Sequence, residues 1–447
     1  MNQTMTKGSP LKLILFFALP LLAGTIVQQF YNICDTAITG HLLGDDALAA
    51  IGATSTIAPL IIYMCNGMNN GFSLLVSSAF GSGSARRLKQ TTALMVELNL
   101  ALAVVFTALS LLIIRPLMTA LSVPAPIFED AYGYIFIILA GLPATLCYNA
   151  SAALLRSVGN SKTPLLFLVI SSVLNVFLDV LFVAVFGWGV RGAAFATVLA
   201  QCVSGVLCVG HIVRRYPMFR LSGADWRPDW RLMGDMFTTG LSMGLMLSIF
   251  QIGSVILQGA INLLGPTYIT AQIGGRKLME MAMNPFFALS QATATYVSQN
   301  YGAGDRRRIG QGMKIIIELS MLWSTIAVAL LWLPAPLWMR LLTGSADPIV
   351  IASGTDYLRV GMPLFYPLAL LLMLRNALQA MGHRIAPVLG SIMELAGKVV
   401  FAAVIVPAIG YLGVCLCEPV LWVVCMVFMA AFSWHCRREF GMGKQTA

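Results

Sequence analysis

Long apolar runs alternate along the chain with short polar, mostly basic stretches, and the repeat length is that of a membrane span rather than of a helical turn or a strand pleat. Leu11–Phe30 and Leu165–Phe186 each hold a single charged residue, and Met321–Leu333 holds none. The first two match the roughly 20 residues that cross a bilayer as a helix. A membrane β-barrel would alternate apolar and polar positions, whereas these runs are apolar all round. The pattern predicts twelve spans, at 13–38, 50–78, 91–114, 130–153, 164–186, 192–213, 236–263, 269–298, 312–334, 355–377, 386–407 and 411–434. The fold class expected is an all-α polytopic membrane protein.

Composition agrees. Of 447 residues 58% are hydrophobic and 10% charged, against about 25% charged in a soluble globular chain. The net charge of +10 is not a nucleic-acid footprint, because the basic residues are spread over short loops. An even number of spans puts both termini on one side. The loops of that side carry 20 of the 28 Lys and Arg residues, including Arg86, Arg87, Arg214, Arg215, Arg306–Arg308, Arg437 and Lys444; the opposite loops hold Arg115, Arg191 and Arg340. By the positive-inside rule both termini are cytoplasmic, and the expected location is the cytoplasmic (inner) membrane. Eight of the nine cysteines, from Cys34 to Cys425, lie inside apolar runs as small packing residues; beyond Cys415/Cys417 they show no metal-ligand spacing. The first apolar run has no small-residue cleavage site after it and reads as a span rather than a removable signal.

The chain repeats itself. AFGSGSARRLKQ (79–90) is answered by NYGAGDRRRIGQ (300–311), an offset of 221 that also pairs Gly44 with Gly265 and Glu97 with Glu318. LLRSVGNSKTP (154–164) is answered by LQAMGHRIAP (378–387), with Pro164 and Pro387 223 apart, and GWGVRGAA (187–194) by AIGYLGVC (408–415). The expected organisation is an N-terminal six-helix lobe (1–213), a cytoplasmic basic linker (214–235) and a C-terminal six-helix lobe (236–447). Six is even, so the repeat is parallel, and two such pseudo-symmetric bundles would enclose a central cavity. A duplicated channel or membrane enzyme could share this plan.

A charge at mid-bilayer costs roughly 2.5–3.5 kcal/mol on insertion scales, so each one needs a reason. Asp35 lies in the first span; Asn175 and Asp179 share one face of the fifth at i, i+4; Thr197 opens the sixth. Two carboxylates, an amide and a hydroxyl form an all-oxygen set suited to Na⁺. They equally suit H⁺, since two close carboxylates in low dielectric do not both stay ionised. The plainer reading is two separate carboxylates near helix ends.

These segments resemble the multidrug and toxic compound extrusion (MATE) transporters over nearly the whole chain. The likeness rests on Pro20, FYNICDTAITGHLLG, the small-residue-plus-basic loops after spans two and eight, NVFLD, and GVRGAAFAT. It implies cation binding and coupling at Asp35, Asn175, Asp179 and Thr197, with H⁺ or Na⁺ as the coupling ion. It further implies alternating access between two lobes and export of mainly cationic or amphipathic organic compounds by antiport. Some branches couple through carboxylates of the seventh and tenth spans; here the seventh has none and the tenth only Asp356, beside Arg359 and Arg375.

The repeat maps Asp35 to Ile256, Asn175 to Lys398, Asp179 to Ala402 and Thr197 to Glu418. Lys398 follows Glu394 by one helical turn, so the second half is read as replacing the cation with an ammonium held by Glu394 and Glu418; a structural ion pair is the competing account. Arg276, Glu280, Met279 and Met283 in the eighth span are candidates for a substrate cavity, or alternatively an internal ion pair and core packing. No Ser/His/Asp constellation, metal motif or nucleotide-binding loop is present in the sequence. The chain is therefore read as a non-enzymatic monomer in the lipid bilayer, acting on small organic molecules, with no cofactor beyond the coupling ion and no nucleic-acid partner. Two other readings stay open: a lipid-linked oligosaccharide flippase of the same wider superfamily, and a passive channel.

Overall fold

Apolar runs in a solvent without water must satisfy their own backbone groups, and helices are the local solution. The computed structural model describes residues 4–55, 57–227 and 229–441, and no strand occurs among them. Lys444 of the basic set and Pro228 of the linker lie outside the described residues. In the first half come α1 (Pro10–Leu43), α2 (Asp45–Thr54), α3 (Ile57–Gly81), α4 (Ala85–Ala120), α5 (Ala125–Ala140), α6 (Leu142–Ser157), α7 (Lys162–Asp179) and α8 (Gly189–Arg215). The second half holds α9 (Trp230–Asn262), α10 (Pro266–Gly302), α11 (Arg306–Trp332), α12 (Ala335–Thr343), α13 (Pro348–Gly361), α14 (Phe365–Ala380), α15 (Ile385–Val400), α16 (Val406–Ile409) and α17 (Tyr411–His435).

By length and composition nine spans among the described residues are fit to cross a membrane, or up to eleven if the bent pairs α2–α3 and α5–α6 each count as one. The remaining expected span, 269–298, falls in α10, which has 37 residues but carries Arg276, Lys277 and Glu280. The α5–α6 pair bends by 42°. Pro143 removes a backbone donor at the start of α6, and Gly141 at the break sits so close to α8 that a methyl there would lie 2.3 Å from Val198 Cγ2.

The described residues divide into two compact units, one comprising residue 4 and 19–244 and the other 5–18 and 245–441, with the division inside α1 and α9. In the first unit Phe72, Val76, Leu155 and Met236 are fully buried in a core shared by α3, α4, α6 and the start of α9. Gly67 and Gly71 on α3 meet Gly240 and Gly244 on α9 backbone to backbone: a methyl at Gly71 would lie 2.5 Å from Gly240 Cα. In the linker, the Ser222 N–H and hydroxyl donate to Asp225 Oδ2 at 2.7 and 2.6 Å, which holds that carboxyl below its usual range. In the second unit Phe286, Phe365 and Trp422 pack edge to face. Residues ahead of α1 dock on the α10–α11 turn there: Met5 N–H donates to Gln299 Oε1 at 2.8 Å, and the Arg308 guanidinium donates to the Gly8 carbonyl at 2.8 Å.

The duplication is visible in the backbone. Left-handed glycines recur at matching positions: Gly44 and Gly265 (φ 82° and 100°), Gly83 and Gly304 (72° and 75°), Gly159 and Gly382 (83° and 91°), Gly189 and Gly410 (60° and 64°). Ser84 and Asp305, 221 residues apart, each cap the following helix by accepting the backbone N–H three residues on.

Candidate functional site

In the first unit a ladder of polar contacts pins α7 to α8. The Ser204 hydroxyl donates to the Phe167 carbonyl at 3.0 Å, and the Ser171 hydroxyl donates to the Ala200 carbonyl at 2.9 Å. Asn175, one turn further along α7, reaches Thr197. An amide oriented by its neighbours donates from its nitrogen to Asp179 Oδ2 at 2.8 Å and accepts the Thr197 N–H at 3.2 Å. This orientation gives the buried carboxylate a donor, and the reverse would set two acceptors against each other. Asn175 and Asp179 are each 1% exposed.

Helix α1 supplies the rest. Asp35 lies within hydrogen-bonding reach of Asp179, and Tyr31, one turn earlier on the same face, places its hydroxyl 3.3 Å from Thr197 Oγ1. Asp35, Asn175, Asp179 and Thr197 are thus one cluster. Asp35 Oδ1 and Asp179 Oδ1 are buried with no hydrogen-bond partner. Two adjacent carboxylates with free oxygens, and no ion-pair partner among the described residues, have the chemistry to take up a proton or a small hard cation. Immediately after Asp179 the chain makes a π-helical turn, Val180–Val185, closed by the Phe186 N–H donating to the Leu181 carbonyl at 3.0 Å. Such turns leave backbone groups off the α ladder and recur at functional sites.

The second unit gathers the other predicted group. Lys398 is 1% exposed, with Nζ 3.4 Å from Glu394 Oε1 and 4.0 Å from Glu418 Oε1. It lies 4.2 Å from the centroid of the Phe250 ring. Arg375 is placed beside Asp356 by the sequence; its guanidinium lies instead 3.5 Å from Glu394 Oε2. Arg276 and Glu280 form an i, i+4 pair at 2.9 Å with both side chains partly exposed. Met279 and Met283 are buried, at 2% and 9% exposure. Glu318 pairs with Lys314, one turn earlier on α11, at 3.9 Å. The sequence reading leaves out Cys436, which comes together with His383 and Glu439 as one set of metal-type ligands; the His383 Nε2–Glu439 Oε2 pair measures 3.1 Å.

Comparison with known proteins decides the family. The MatE family model matches twice, over residues 20–181 and 242–404. The chain belongs to the MatE family. The second match begins 222 residues after the first and ends 223 after it, so the family's own unit is the half-chain. Among relatives, "Probable multidrug resistance protein YpnP" of Bacillus subtilis (strain 168) is 25% identical over 81% of this chain and 80% of its own. The FAD transporter of Shewanella oneidensis is 24% identical over 83% and 82%. A crystal structure of MATE in the bent conformation superposes with a TM-score of 0.90 at 23% identity, covering 98% of this chain and 97% of that one. This MatE protein is accordingly a multi-pass membrane transporter with the fold of those structures.

Proposed function

We propose that this MatE protein is an antiporter that exports organic compounds, mainly cationic or amphipathic ones, as H⁺ or Na⁺ enters through the Asp35–Asn175–Asp179–Thr197 cluster. The observation that carries the reading is the pair of carboxylates, Asp35 and Asp179, with buried free oxygens and no basic partner among the described residues. A passive channel has no need of such a pair, and maintaining it in a membrane lobe is costly. Loading the pair with a cation neutralises it and draws α1 toward α7. Unloading returns the repulsion. This gives the two lobes, 1–213 and 236–447 about the 214–235 linker, a charge-dependent element to bias between inward- and outward-open states. Both termini lie in the cytoplasm and the monomer is the working unit.

The names of the relatives point to two substrate classes, drugs for YpnP and a flavin dinucleotide for the Shewanella protein. With Lys398 and Arg375 tied up by carboxylates, the cationic or amphipathic class is favoured here. The test is dye efflux from vesicles under an imposed H⁺ or Na⁺ gradient, with FAD as competitor. Asp35→Asn should lower gradient-driven efflux more than tenfold. Efflux at the wild-type rate in Asp35→Asn and Asp179→Asn would leave the channel reading standing.

A further inference from the structure

Across the repeat Asn175 corresponds to Lys398 and Thr197 to Glu418. The structure brings the second pair together as it does the first, one residue on the helix before a π turn and one on the helix after it. The Asn175 oxygen meets the Thr197 N–H, and Lys398 Nζ meets Glu418 Oε1. The π turn itself is duplicated, at Val180–Val185 and Phe401–Ile405. We infer that Lys398 is a tethered cation, its ammonium standing in the second half where the first half takes an exchangeable ion, so that the second half binds no coupling ion. The inference rests on reading the Asp35 cluster as a cation site.

Charge balance separates the two places. Asp35 and Asp179 bring two carboxylates and, among the described residues, no base. Arg375, Glu394, Lys398 and Glu418 bring two of each, and the Arg276–Glu280 pair, whose guanidinium lies in the field of Glu418, adds one more of each, so the group is neutral without an added ion. The surroundings of the ammonium are those of a bound cation. Two carboxylate oxygens approach from different helices, and the Phe250 ring presents its face at 4.2 Å. Room for the side chain is made on α9: a methyl at Gly253 would lie 2.7 Å from Lys398 Cδ. The carboxylates stand at 3.4 and 4.0 Å, and Nζ makes no hydrogen bond of good geometry.

The experiment removes the tethered ammonium and asks whether a free cation takes its place. Lys398→Asn restores the first half's residue at this position. It is compared with the Lys398 protein, both carrying Asp35→Asn so that the first-half cluster contributes no response. Thermal unfolding of the purified full-length proteins is followed in NaCl, KCl, methylammonium chloride or N-methylglucamine chloride at equal ionic strength. The Lys398→Asn midpoint should rise by about 3–5 °C in at least one small-cation salt relative to N-methylglucamine, and the Lys398 midpoint should not. A folded Lys398→Asn protein with one midpoint in all four salts overturns the inference. If Lys398→Asn does not fold, Lys398→Met/Glu394→Gln, which removes both charges, should fold. Failure of that double variant also overturns the inference, since Lys398 would then be required for its bulk. The readout is stability and not transport, so its failure is distinct from a failure of the Asp35 efflux test.

Discussion

Asn175 is the residue through which the first-half cluster is held as a unit, since its amide touches both Asp179 and the Thr197 backbone. Asn175→Ala leaves Asp179 without its 2.8 Å donor. A hydrogen bond to a charged group is worth about 1.5–3 kcal/mol, roughly 10–100-fold in an equilibrium constant. Gradient-driven efflux by Asn175→Ala at a subsaturating gradient should fall by about that factor, and raising the gradient should recover part of it. Efflux unchanged across the whole gradient range would separate Asn175 from the ion site. The cluster was legible because a carboxylate or amide stands out in an apolar run. Tyr31 and Phe250 were not legible, for the opposite reason: an aromatic residue in a span carries no contrast. Arg375 shows a third case. Asp356 and Glu394 lie 19 residues from it on either side, each across a helix break, and spacing alone does not choose between them; the guanidinium takes Glu394.

At the scale of elements, the membrane removes most of the hydrophobic drive between helices, so close backbone packing has to hold them. The seam of Gly67 and Gly71 against Gly240 and Gly244 is such a contact, small residues four apart on both helices. A methyl at Gly71 meets Gly240 Cα at 2.5 Å and the Thr239 carbonyl at 2.7 Å, and backbone cannot swing aside as a side chain can. Gly71→Ala should therefore cost about 1–3 kcal/mol, seen as a lower unfolding midpoint in detergent. Gly210→Ala, where a methyl has no neighbour within 4 Å, serves as the control. An equal midpoint for the two variants would show that α3 and α9 are not held by this contact. The glycine spacing was present in the sequence and is readable as a packing motif. The π turns after Asp179 and Val400 were not, because their residues, VLFVAV and FAAVI, fit an ordinary helix equally well. Helix α10 is the converse: its charges dilute the apolar signal, yet the helix expected at 269–298 forms, over 37 residues.

For the whole molecule, the duplication is architectural and not chemical, and this has a consequence for energetics. On the proposed reading, with one exchangeable site in the first half and a fixed ammonium in the second, one ion charge enters per turnover. A monovalent cationic substrate leaving in exchange carries one charge out, so the cycle moves no net charge. The membrane potential then does no work on it, although each uncompensated charge would gain about 2.3 kcal/mol per 100 mV. A neutral or zwitterionic substrate leaves the ion's charge uncompensated, and its export gains the full amount, equivalent to about 50-fold accumulation per 100 mV. In proteoliposomes with the potential clamped by potassium and valinomycin, efflux of a monocationic dye should be the same at 0 and 100 mV, while accumulation of a neutral substrate should rise by that factor. A monocation whose accumulation rises with potential would require a second ion per cycle. The second half would then have to supply its site, against the neutral balance of Arg375, Glu394, Lys398 and Glu418.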